Sequence, residues 1–152
     1  MSWVSRARTR ALVNRDAFVA VARVGDVPLG RAMTAIVDGR EIAIFHTAGG
    51  FFALDNTCPH QGAPLCRGEI VSRLVAPTPG EYRLTRSGEM IRCPWHCWEF
   101  DIRTGQSLCD PKSVQARAFD VAVEQGTALV EGPFVAEAVQ VTVEESYVVV
   151  TV

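Results

Sequence analysis

Two short stretches carry side chains whose types and spacing bind metal. In "CPHQGAPL" one residue separates Cys58 from His60, and in "CPWHCWEF" two residues separate Cys93 from His96. Thiolates and imidazoles are the ligands of zinc sites and of some iron–sulfur centres. Pro59 and Pro94 stiffen the two stretches, and Gly62 lets the backbone fold tightly beside a buried guest. A structural zinc site with two cysteines and two histidines competes for the same residues. Such sites mostly pair cysteine with cysteine and histidine with histidine. Here each stretch mixes one of each, an order that suits a centre whose thiolates and imidazoles go to different irons.

The remaining candidates have plainer readings. Cys66 and Cys109 are expected to be inert core thiols, and His46 a satisfied surface or core group. Cys97, directly after His96, is read as a filler rather than a ligand.

The elements that must position these residues are short and β-rich. "AMTAIV" (32–37), "EIAIFH" (41–46), "FFAL" (51–54), "FDVAVE" (119–124) and "YVVVTV" (147–152) mostly alternate with the period of half-buried strands. Turn signals punctuate them at 37–41, 47–52, 86–90, 103–107 and 124–128. One helical turn is expected near 14–21. The segments "FDVAVEQGTALVEG" and "VQVTVEESYVVVTV" read as two C-terminal hairpins, and "YVVVTV" as an exposed edge open to pairing. Strands and turns at this spacing predict an all-β sandwich or small barrel.

The chain has 152 residues, 48% hydrophobic and 21% charged, which suits one soluble domain over 1–152. Residues 1–13, with Arg6, Arg8 and Arg10, read as a mobile N-terminal segment without the apolar run of a secretory signal. A net charge of −2 with scattered basic residues gives no nucleic-acid footprint, and no apolar stretch is long enough to span a membrane. Five cysteines, an odd number, argue for a reducing compartment, and the cytoplasm is the expected location.

The two halves "CPH" and "CPWH" resemble the Rieske [2Fe–2S] proteins, whose signature is C-x-H followed by C-x2-H. The likeness runs from "VGDVPLGRAM" (24–33) through "FDIRTGQ" (100–106) to the C-terminal strands. It implies an antiparallel β-sandwich with a cluster-binding subdomain formed by two hairpin loops. It also implies one [2Fe–2S] cluster per chain, with Cys58 and Cys93 on the buried iron and His60 and His96 on the outer one. Trp95, Trp98 and Phe100 would wall the cluster, and the loop around Pro111 would cover it.

Two departures stand out. The segment between the halves is longer than in most small Rieske ferredoxins, and residues 73–88 read as an inserted hairpin. The residue after the second histidine, commonly glycine, is Cys97.

The resemblance implies a one-electron carrier. Its donor would be a flavin or NAD(P)H-linked reductase and its acceptor an oxygenase. A complete oxygenase would need a further mononuclear iron site, which three histidines cannot supply, so no catalytic site is expected. The alternative is an accessory subunit of a multicomponent enzyme such as nitrite reductase. A membrane-anchored, high-potential Rieske protein is not expected. The positions of its loop-bracing disulfide hold Ala63 and Trp95, and its two hydroxyl donors to the cluster are replaced by Trp98 and Phe100.

Overall fold

The computed structural model describes residues 8–95, 97–137 and 144–151. Among them there is no α-helix. Twelve strands are joined by turns and by single 3-10 turns at Val24–Asp26, Leu65–Arg67 and Gly126–Ala128.

The strands are β1 (Arg8–Val13), β2 (Val19–Arg23), β3 (Ala32–Val37), β4 (Arg40–Thr47), β5 (Gly50–Asp55) and β6 (Glu69–Thr78). They continue as β7 (Glu81–Arg92), β8 (Glu99–Asp101), β9 (Ala118–Phe119), β10 (Val121–Gln125), β11 (Val130–Glu137) and β12 (Ser146–Val150). Nine form one sheet in the order β10-β12-β2-β1-β11-β3-β4-β5-β9, and β6-β7-β8 form a second. Every pairing between strands is antiparallel.

Strand β4 explains how the site is held. Its residues 42 to 45 are all buried, so neither face meets water. Alternation sends Ile42 and Ile44 into a core with Val19, Val21, Val148 and Val150, whose strands lie near the far end of the same sheet. The sheet therefore curls round to enclose them. Ala43 and Phe45 face the other way, into a core with Leu54, Cys58, Leu65, Ile91, Cys93, Phe100 and Ile102. That second core joins the large sheet to the small one and contains both cysteines of the paired motifs. Each large side chain buried there contributes about 1.5–3 kcal/mol.

The turn at Asp38–Gly39 matches its expectation, since both residues have positive φ (49° and 77°) as a two-residue hairpin requires. Elsewhere the fold departs from the sequence reading. Of the segment 1–13, residues 1–7 lie outside the described residues, whereas Arg8–Val13 forms β1, paired with both β2 and β11. No helical turn forms near 14–21. Asn14 instead caps a tight turn through its Oδ1, which accepts from the Asp16 and Phe18 amides, and β2 starts at Val19.

Residues 73–88 lie inside a longer hairpin formed by β6 and β7, whose turn is at Pro79–Gly80. Residues 86–90 belong to β7, where the register jumps and Gly88 takes φ 70°. The first expected C-terminal hairpin does not form, and the first arm of the second (139–143) lies outside the described residues. Strand β10 pairs with β12, whereas β11 joins β1 and β3. Strand β12 is flanked on both sides by β10 and β2, so it is not an open edge.

Candidate metal centre

The Cys58 loop connects β5 of the large sheet to β6 of the small one. It closes on itself through a bridge between Thr57 and Pro64. The Cys58 amide donates to the Ala63 carbonyl and the Gly62 amide to the Cys58 carbonyl, both at 2.8 Å. Gly62 needs φ 82° to make this turn, a conformation that side chains disfavour.

Asn56, which carried no signal of its own in the sequence, holds the loop base. It is buried, its carbonyl accepts from the Leu65 amide (2.7 Å), and its Oδ1 accepts from the Cys66 amide (2.9 Å). Its Nδ2 donates to Glu41 on β4 at 3.1 Å. A polar side chain sealed in this way is rigid, because every lost bond would leave a buried group unsatisfied.

The Cys93 loop is the tip of the β7–β8 hairpin, in register at Arg92 and Glu99. The Cys93 amide donates to the Trp98 carbonyl at 2.7 Å. Outside this bond Arg92 binds the Glu99 carboxylate at 3.0 Å, which fastens the loop's two ends together.

These loops bury the two thiols in one core, Cys58 1% exposed and Cys93 2% exposed. Burial pushes the Cys93 thiol up to about 11, against a hydrogen bond from the Trp95 amide that favours the thiolate; the neighbouring Cys58 adds to the rise. Two buried thiols side by side cannot both ionise without a cation to neutralise them. That donor set fits a metal-bound pair of thiolates.

His60 stands on the rim of the same loop with its Nδ1 atom buried. Its ring stacks on Trp98 of the other loop, centroids 4.3 Å apart and planes 22° from parallel. His96 lies outside the described residues. Among the described residues no three His, Cys, Asp or Glu side chains form a closed group for a single ion.

The aromatic residues divide in role. Phe100 is fully buried in the core behind the cysteines, Trp98 supports His60, and Trp95 is 48% exposed at the surface. The loop around Pro111 is tied to β8 by the Leu108 amide, which donates to the Glu99 carbonyl at 3.0 Å.

Cys66 is half-buried and accepts a hydrogen bond from the Thr34 hydroxyl. Cys109 is exposed, which corrects its reading as a core thiol. Cys97 is also exposed and takes φ 56°, the left-handed conformation that favours glycine. His46 is satisfied, with Nδ1 2.7 Å from the Val27 carbonyl and its ring stacked on Phe51.

A family model described as "Rieske [2Fe-2S] domain" matches residues 17–123, a span that includes both loops. The chain belongs to the Rieske [2Fe–2S] domain family. A domain of this family carries a single [2Fe–2S] cluster, and the paired buried thiols fit its sulfur ligands.

Among curated relatives is the ferredoxin component of naphthalene 1,2-dioxygenase/salicylate 5-hydroxylase systems from Ralstonia sp. It is 29% identical over 107 residues, 70% of this chain and 88% of the relative. A human Rieske domain-containing protein is 33% identical over 102 residues, 65% of this chain and 57% of its own length. Among solved structures, the ferredoxin of carbazole 1,9a-dioxygenase from Nocardioides aromaticivorans IC177 superposes with a TM-score of 0.53 at 27% identity. That match covers 81% of this chain and 98% of the ferredoxin.

Proposed function

We propose that this chain is a one-electron carrier of the Rieske ferredoxin type, serving an oxygenase system. The observation that carries the reading is the burial of the Cys58 and Cys93 thiols together in one core, with His60 of the first loop stacked on Trp98 of the second. In this reading Cys58 and Cys93 are the thiolate ligands and His60 and His96 the imidazole ligands. When bound, a [2Fe–2S] cluster supplies reversible one-electron chemistry.

The chain's own residues do the rest. Phe100, Ile91 and Ile102 exclude water behind the thiols, and the stacked Trp98 fixes the imidazole of His60. The exposed Trp95 offers an amphipathic contact to a partner beside the loop. The relatives named as ferredoxin components of dioxygenase systems support an oxygenase as acceptor; the donor in this reading is a flavin or NAD(P)H-linked reductase.

All five thiols are free, which suits the reducing cytoplasm. No helix among the described residues is long and apolar enough to cross a membrane.

Metal analysis of the purified protein tests the proposal. About two irons and two acid-labile sulfides per chain, with a red-brown colour, are expected. Zinc in a colourless protein would overturn it.

A further inference from the structure

Beside the Cys93 loop the surface opens into a cleft of about 560 Å³. Three parts of the chain contribute arginines to it: Arg31 just before β3, Arg67 just after Cys66, and Arg92 at the end of β7. Cys93 and Pro94 form part of the wall. Among the described residues Glu69 is the one carboxylate of the lining. It lies 3.5 Å from Arg92, which is also bound to Glu99, so its charge is already engaged. Arg31 and Arg67 are exposed and form no ion pair among the described residues.

This is a local excess of positive charge on a chain whose net charge is −2. Such a cleft attracts anions. A small free oxyanion would gain little here, because exposed guanidinium groups keep their water and each exposed pair is worth under about 1 kcal/mol. A protein surface that covers the cleft makes several pairs at once and steers the encounter as it does so. The place also matters, since Cys93 is one of the proposed sulfur ligands and a partner seated here lies against its loop.

We propose that this cleft docks an acidic segment of a redox partner, whose carboxylates pair with Arg31 and Arg67. The inference rests on the electron-carrier reading for the nature of the partner, but the cleft and its charge stand independently.

The test is fluorescence anisotropy of a labelled oligoglutamate peptide against the purified holoprotein, in low and in physiological salt. Binding that weakens with salt is expected. Arg31→Glu/Arg67→Glu should lose about tenfold in affinity, the size two exposed ion pairs give together. Arg31→Gln/Arg67→Gln should lose less. The control Arg15→Glu/Arg40→Glu has the same net charge and should bind like wild type. An equal loss in the control, or none in the cleft variants, would overturn the docking site. Competition by inorganic phosphate as strong as by the peptide itself would overturn it in favour of a small-oxyanion site. Visible absorbance of the same samples separates the two readings. A colourless protein that still binds through the arginines overturns the electron carrier, whereas a coloured protein without arginine dependence overturns the docking site.

Discussion

His60 and Trp98 belong to different loops, yet their rings stack 4.3 Å apart at 22°. The contact joins the first loop's imidazole to the second loop's backbone, because the Trp98 carbonyl also holds the Cys93 amide. One tryptophan thus positions a candidate ligand from each loop.

Trp98→Ala should loosen His60 and shorten cluster lifetime in air, with a stability loss of about 2 kcal/mol, since this ring is only half-buried. Trp98→Phe should recover much of the lifetime. Bleaching of visible absorbance over time reads both effects. Equal lifetimes in wild type and Trp98→Ala would show that the stacking does not support the site.

Gly68→Ala should disturb the Cys93 loop from outside it. A Cβ at Gly68 would collide with the Arg92 carbonyl, the residue just before Cys93. A cost above about 2 kcal/mol is expected, as for overpacking against rigid backbone. Chemical denaturation measures it, and iron content should fall in parallel.

Much of this arrangement is legible in the sequence, and the failures have physical causes. The Cys58 and Cys93 loops and the Asp38–Gly39 turn announce themselves because their chemistry is local. Strand β1 does not: "RTRALV" earns its place only by pairing with β2 and β11, and β11 lies far away in the chain. Gly88 misleads because a positive φ serves a strand irregularity as well as a turn. Asn56 is equally silent, since its value lies in bonds to Cys66 and Glu41 that no local pattern encodes. The segment "FDVAVEQGTALVEG" looks like a hairpin because sequence neighbours often pair, whereas here β10 pairs with β12 and β11 with β1.

Cys97→Gly should keep the cluster and raise stability by about 0.5 kcal/mol. Relief of the left-handed backbone at φ 56° slightly outweighs the greater freedom of glycine in the unfolded chain. Cys97→Val should lower stability. Iron analysis and thermal unfolding check both variants, and loss of iron in Cys97→Gly would make Cys97 a ligand after all.

In the metal-free protein the thiols should separate by reactivity. Iodoacetamide attacks thiolates, so the exposed Cys97 and Cys109 should be alkylated first near neutral pH. Cys93, buried and pushed up to about 11, should react slowly until the pH approaches that value. The sign is fixed: a raised thiol pKa keeps the unreactive protonated form up to higher pH. Mass spectrometry of timed digests gives the order, and early labelling of Cys93 would contradict its burial beside Cys58.

The reduction potential tests the central claim most directly. Two imidazole ligands make reduction easier than with four thiolates, which holds plant-type ferredoxins near about −400 mV. Hydrogen bonds to the cluster raise the value further, but Phe100 has no donor and Trp98 offers one indole N–H on a ring committed to His60. Protein-film voltammetry near neutral pH should therefore give one reversible one-electron wave around −150 mV, the low end of the Rieske range. A midpoint near −400 mV would contradict histidine ligation, and one clearly above zero would contradict the oxygenase-type ferredoxin.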